Sequence, residues 1–441
     1  MTFFLPYYAA AVALLYLELR GAPPRVLPTP ALPAWVWIGG LVATYAAQLG
    51  AIWYSATAAA TAESWRAALP IGVAGHDVPY AGWISAAMLL LSLAQTYALL
   101  ALYRRPAARV AVVAGAFVLA ALSLAAPAFI SPDPYAYAGD TLLGRAAYAP
   151  PAQAFGGEYG AIDRFFGAPM LPSPYGPLWS IVSQLALAPF GSLLGKLLAL
   201  RGLGLLSYVA LLAALRAFGV PSRALALAAL NPGLFMQYVA GAHNDLLGIA
   251  ALVAAAAFAA RNAVIAAALL VVGGLVKLPF VLLGLPVLAA VRSRVARYVC
   301  AAAAIAATVA ISWWGAGASY FQGLAVHVPA PGPAYALNLV VSLLALAAIA
   351  VAFVGGPRVR AAVWLIPLAS SYVASWYLIY ALPYALARRR MLAYLLIGLP
   401  FAAVLVDAKF VQWWTYTLVL PLAVLASVAP RSRPAIAKRR R

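Results

Sequence analysis

The sequence predicts an all-α, polytopic membrane protein with roughly 12–15 transmembrane helices. Three observations predict it. Apolar residues make up 66% of the 441 residues, where a soluble domain carries about 45–50%. Charged residues make up only 9%, and mean hydropathy is +0.96. The apolar residues fall in long runs, each near the ~20 residues that a spanning helix needs. So few charges cannot coat a water-facing surface, which excludes a soluble enzyme, and so much apolar content excludes a disordered chain.

Spans are expected near 3–19, 34–59, 82–103, 108–128, 197–215, 222–241, 246–260 and 263–276. Further ones are expected near 278–291, 298–314, 336–355, 361–374, 376–387, 391–406 and 410–428. The first has no basic residue ahead of its apolar run, so it reads as a span, not a cleaved signal peptide. The stretch 176–195 is apolar but holds Pro189 and Gly191, and reads as a re-entrant or interfacial helix or half of an extra hairpin. Residues 1–428 read as one transmembrane domain and 429–441 as a basic cytoplasmic tail suited to anionic headgroups.

The net charge of +20 reflects positive cytoplasmic loops and no nucleic-acid partner, because no basic stripe is interleaved with aromatics. Placing Arg104/Arg105, Arg216/Arg223, Arg261, Arg292/Arg294 and Arg388–Arg390 inside puts every acid except Glu18 outside. Cys300 is the single cysteine, so no disulfide forms within the chain. The protein is thus expected in the cytoplasmic membrane, its C-terminus cytoplasmic and its chemistry on the extracytoplasmic face.

The longest polar interruption, 129–176, lies outside and carries Asp133, Asp140, Glu158 and Asp163. Loops of that length are usually functional, and one or two short surface helices are expected in it. Two more outer loops are expected at 60–81, with Glu63, Arg66, His76 and Asp77, and at 315–335, with His327.

Ionisable groups at membrane depth are expensive and mark function. Asp133 opens the loop, in Ser131-Pro132-Asp133-Pro134-Tyr135-Ala136-Tyr137. Desolvation there raises a carboxylate pKa and suits a general base; an N-cap explains the same residue equally well. Asp140, two helical turns on, either shares its face or is a solvated loop acid. Tyr175, in Ser173-Pro174-Tyr175-Gly176-Pro177-Leu178-Trp179, belongs to a rigid start of an apolar helix or to an aromatic belt. His243, Asn244 and Asp245 follow the Pro232 interruption; they orient a phosphate, sugar or metal, or cap a helix. Lys277 holds a lipid phosphate as a point charge or snorkels to the interface. Trp376 and Tyr377 stack on a sugar or anchor the belt. No Walker A, GxGxxG or HExxH motif appears. No metal ligand set is assigned and no cofactor is expected, with metal dependence left open.

These segments, in this order, resemble the GT-C superfamily of multispan glycosyltransferases. They are most similar to polyprenyl-phosphomannose-dependent α-1,6-mannosyltransferases. The matching stretches are Asp133 to Tyr137, Ser173 to Trp179, Asn231-Pro232 with Gly241 to Asp245, Leu275 to Lys277, and Trp376 to Pro383. One departure is Arg145-Ala146-Ala147-Tyr148, where that family usually shows Asn-Pro-Tyr. The resemblance implies a polyprenyl-phosphate sugar donor, a glycan or glycolipid acceptor, an active site under the first large outer loop, and Asp133 as its catalytic acid. Inverting transfer then uses Asp133 as base. Lys277, His243 and Arg164 face the leaving phosphate, Asn244 and Asp245 orient sugar or phosphate, and Tyr135, Tyr137, Asp140, Tyr175, Trp376 and Tyr377 complete the pocket. A transporter or flippase of lipid-linked sugars is the alternative. It would place its polar site at mid-membrane between related halves, and neither is evident here.

Overall fold

A computed structural model describes residues 29–59, 82–126, 131–151, 155–166, 169–327, 375–386 and 389–407, with scattered positions of 339–354. The expected spans at 3–19, 361–374 and 410–428, the 60–81 loop and the 429–441 tail lie outside the described residues. Among the described residues every regular element is helical.

The helices are α1 (Ala34–Ala59), α2 (Gly82–Arg104), α3 (Arg109–Ala125), α4 (Asp133–Leu143), α5 (Gly160–Phe166), α6 (Pro177–Leu187) and α7 (Leu193–Ala217). They continue as α8 (Ser222–Ala229), α9 (Asp245–Ala259), α10 (Ala263–Val276), α11 (Pro279–Gly284), α12 (Arg294–Val326) and α13 (Arg389–Asp407). Four of them, α1, α2, α7 and α12, are long and apolar enough to cross a membrane. Their outward faces are greasy: Trp35, Leu90, Leu206, Val295 and Trp314 are all exposed, as lipid contact requires.

Helices α7, α9 and α10 pack side by side, with α12 against α10 and α13 against α2. They bury one large apolar core that includes Leu211, Phe235, Leu252, Leu270 and Phe280. A second, smaller core of Tyr135, Tyr137, Ile162, Tyr175, Trp179 and Leu200 seats the outer-loop helices α4 and α5 on α6 and α7. The loop therefore holds two short helices, as expected, and they are packed elements.

The stretch 176–195 holds α6, 11 residues long and about 16 Å, too short to cross alone and in keeping with a re-entrant or interfacial helix, followed by the start of α7. Two other expectations change. The expected span 222–241 is broken: Asn231 accepts from the Leu234 N–H and donates to the Leu396 carbonyl at 2.6 Å, and a π-helical turn follows over Phe235–Ala240. The loop expected from 315 is helical at its start: α12 is two helices joined at a sharp break at Gly317, whose φ is +71°, and the second runs to Val326. His327 ends it, its ring Nε2 2.7 Å from the Pro172 carbonyl.

α7, α9 and α10 each have an arginine at or just beyond one end, Arg216 or Arg261. Their other ends converge on the segment Gly241–Asp245, Lys277 and α4.

Candidate active site

Asp133 is the first residue of α4, one position inside the helix, with Pro134 in its first turn. Its backbone N–H donates to Ser131 Oγ at 3.1 Å, and the cap position ahead of it is Pro132, where no side chain caps the helix. The carboxylate turns to His243: Oδ2 lies 3.2 Å from Nδ1. The Asp133 side chain is 20% exposed and that of His243 is fully buried. Burial pushes the Asp133 pKa up, as the sequence suggested. His243, Ser131 and the more distant Lys277 outweigh burial and hold the carboxyl below its ordinary value. The expected net rise is thus reversed, because desolvation was read without the partner that the fold supplies.

His243 arrives on a strained segment. Ala242 has φ +50°, a region that costs a residue with a Cβ of order 1 kcal/mol or more. The π-helical turn ahead of it is a feature common at functional sites. Asn244 and Asp245 start α9, and neither caps it: Asn244 makes no capping bond. Both amide atoms of Asn244 are buried and have no partner among the described residues. Asp245 Oδ1 accepts from Lys277 Nζ at 3.1 Å and from the Tyr380 hydroxyl.

Lys277 follows α10 in extended backbone. Its ammonium does not snorkel outward. It also reaches the Tyr377 hydroxyl at 3.4 Å and lies 4.8 Å from the Tyr377 ring centre and 5.8 Å from that of Tyr175. Burial opposes its charge, and Asp245 more than offsets that, so its pKa sits above the ordinary lysine value. The neighbouring motif is locked to it through backbone: the Gly176 N–H donates to the Val276 carbonyl at 2.9 Å. A Cβ on Gly176 would stand 2.2 Å from the Leu275 carbonyl oxygen, so only glycine fits there.

Aromatic rings line the rest. Tyr137 meets Tyr175 and Trp179 edge-on, with ring centres at 4.9 and 5.2 Å. Tyr377 stacks on Tyr380 at 4.8 Å. Tyr175 and Trp179 are buried and so are no belt anchor. Asp140, two turns along α4, is partly buried and accepts from the Ser173 hydroxyl at 2.7 Å. Burial pushes its pKa up to about 7 against the opposing Ser173 bond, with Asp133 adding to the rise. It is therefore no solvated loop acid.

The structure brings together Asp133, Tyr137, Tyr175, His243, Asn244, Asp245, Lys277 and Tyr377, with Asp140 at the border. Tyr135 is fully buried, within reach of the charge of Arg201 in α7, and packs in the smaller core. Arg164 sits in α5, and Trp376 in the 3₁₀ turn Ser375–Ala381; their side chains lie outside the described part. Tyr380 was not singled out in the sequence. Its signal is the spacing of three from Tyr377, which in a 3₁₀ turn eclipses the two side chains. Trp179 and Ser173 belonged to a recognised motif without a role.

No curated protein and no solved structure matches the chain. One family model does, over residues 36–296, a stretch that contains the Asp133–His243 pair, Asp245 and Lys277. Its description is alpha-(1→6)-mannopyranosyltransferase, N-terminal domain. It covers more than half of the sequence, and the chain belongs to this family of glycosyltransferases.

Proposed function

We propose that the protein transfers mannose from a polyprenyl-phosphate donor to a hydroxyl of a glycan or glycolipid acceptor, by one inverting displacement at the extracytoplasmic end of the bundle. Asp133 is the general base. The observation that carries this reading is the Asp133 carboxylate itself: partly open, one residue past the cap position, and 3.2 Å from the buried imidazole of His243.

In the displacement, the acceptor oxygen forms its bond to the anomeric carbon while the bond from that carbon to the phosphate oxygen breaks. The electron pair leaves on the polyprenyl phosphate, and the acceptor proton passes to Asp133. A carboxyl held low stays ionised at neutral pH, which a base requires, at some loss of proton affinity. The transfer needs no second nucleophilic carboxylate. Asp245 is neutralised by Lys277 and supports that role.

Negative charge grows on the leaving phosphate and calls for preorganised cations and donors. Lys277 is the first candidate, and the unpaired Asn244 amide offers a donor and an acceptor to sugar or phosphate. His243, which also suited the phosphate by type, is engaged with the base. Arg164 remains a phosphate candidate. Tyr175 and Tyr377 border the sugar's side of the site with Tyr137 packed behind Tyr175, Trp376 remains a candidate for stacking on the sugar, and apolar helix faces supply a groove for the prenyl chain. The orientation is supported by the arginines at the opposite helix ends, since Lys and Arg concentrate on the cytoplasmic side.

The test is direct. Purified protein is incubated with polyprenyl-phosphate mannose or glucose and an envelope glycolipid fraction, and released polyprenyl phosphate is measured. Mannose-dependent release, abolished by Asp133→Asn, is expected. Release from glucose alone, or an active Asp133→Asn protein of normal stability, overturns the reading.

A further inference from the structure

Arg201 lies eight residues into α7, about 12 Å from its start. It is 2% exposed. A guanidinium at that depth is expensive and marks function by default. The flanking residues Leu200 and Gly202 carry no charge, so the run around it has the look of an uninterrupted span.

Its bonds go to two helix ends. Nη1 donates to the Leu124 carbonyl at 2.9 Å, and Nε to the Ala240 carbonyl at 3.3 Å. Leu124 is the next-to-last residue of α3, and Ala240 closes the π-helical turn. Carbonyls at helix C-termini lack intrahelical donors and carry partial negative charge. A planar guanidinium can serve both at once, whereas an ammonium is a point charge. The chain beyond Leu124 leads to Asp133, and three residues beyond Ala240 stands His243. The charge of Arg201 also acts on Tyr135, in the first turn of α4. One turn along the same face of α7, a Cβ on Gly204 would stand 2.1 Å from the Tyr238 carbonyl oxygen. The π-helical turn is therefore pressed against α7 backbone to backbone, next to the arginine.

The geometry points to Arg201 as a positioning residue: its guanidinium ties to one point on α7 the end of α3, upstream of Asp133, and the π-helical turn, upstream of His243, and so sets the 3.2 Å contact between those two side chains. It touches no reacting atom. The inference rests on the reading of Asp133 as base.

The test compares purified full-length wild type, Arg201→Lys, Arg201→Gln and Gly204→Ala, normalised to monodisperse folded protein. With polyprenyl-phosphate mannose, Arg201→Lys and Arg201→Gln are expected to lose kcat by on the order of 100-fold, the scale of an ångström-sized misplacement, with donor KM little changed. The acidic limb of the pH profile is expected to move to higher pH as Asp133 loses His243. The other groups facing Asp133 are Lys277 after α10, Asp140 and Tyr137 on α4, Tyr175 before α6 and Tyr377; they are unchanged in all three variants. A purely structural role lowers yield and scales the whole profile without moving its limb. Gly204→Ala keeps the arginine but displaces the π-helical turn, and it carries the test if both arginine variants misfold. An unmoved limb with unchanged kcat per folded molecule, in any folded variant, overturns the inference. Asp133→Asn assayed alongside separates the cases: if it stays active, the base assignment fails; if it is dead while the limb is unmoved, only the role of Arg201 fails.

Discussion

Nδ1 of His243 lies 3.2 Å from Oδ2 of Asp133, so the first residue of α4 and the strained turn before α9 meet at one acid–imidazole contact. That contact sets the ionisation of the acid. His243 is part of what holds the Asp133 carboxyl low against the upward push of burial.

Removing the imidazole exposes that balance. In His243→Ala, burial remains and the largest opposing partner is gone, so the Asp133 pKa rises. The carboxylate then protonates at a higher pH on acidification, and the acidic limb of the kcat/KM profile shifts upward. The measurement is transfer rate against pH from 4.5 to 8.5 at fixed donor. A limb in its wild-type place would show that His243 does not tune this acid.

Asp140 makes the opposite linkage. Its pKa in the folded protein is pushed up to about 7, while an unfolded aspartate titrates near 3.9. Between those values the folded state binds the extra proton, so stability falls as pH rises. Asp140→Asn keeps a partner for Ser173 and has nothing to ionise. Its melting temperature in detergent is expected to exceed wild type above pH 7, with the difference closing toward pH 5. A difference that is constant across that range would remove Asp140 as the source.

Gly176 offers a purely steric prediction. In Gly176→Ala the new methyl meets the Leu275 carbonyl at 2.2 Å, with backbone on both sides and no flexible side chain to yield. The bond between Gly176 and Val276 must lengthen, and Lys277 moves with it. Lower thermal stability and a transfer rate reduced at least tenfold are expected, on the scale of a small misplacement in a site. Wild-type behaviour in both assays would refute the tight backbone seam.

How much of this was legible in the sequence follows from range. The helical class, the placement of most described helices and the presence of Asp133, His243, Asp245 and Lys277 as candidates could be read, because rare ionisable groups stand out against an apolar background. Helices in the outer loop could also be expected from its length and composition. Partnerships could not. Whether Asp133 caps or acts depends on His243, far along the chain, and whether Lys277 snorkels depends on Asp245 in another helix. Local reading also failed where two signals compete: Pro232 interrupts an apolar run without saying that a π-helical turn follows. The Pro- and Gly-rich stretch 315–335 read as a loop, although a second helix follows the break at Gly317 and runs to Val326.

The pair Lys277 and Asp245 gives the prediction that best separates folding from chemistry. Asp245 is 1% exposed, with Lys277 Nζ at 3.1 Å. Removing one partner of a buried pair leaves an uncompensated charge and typically costs about 3–5 kcal/mol, whereas replacing both can be nearly neutral. Lys277→Met is therefore expected to melt well below wild type, and Lys277→Met with Asp245→Asn to recover much of the loss. If Lys277 also meets the leaving phosphate, recovery of stability brings no recovery of kcat, because the cation is still missing where negative charge grows. Melting curves and single-turnover transfer on the same three preparations decide this. A double variant that regained both stability and rate would leave Lys277 a structural partner of Asp245 and pass the phosphate to another cation.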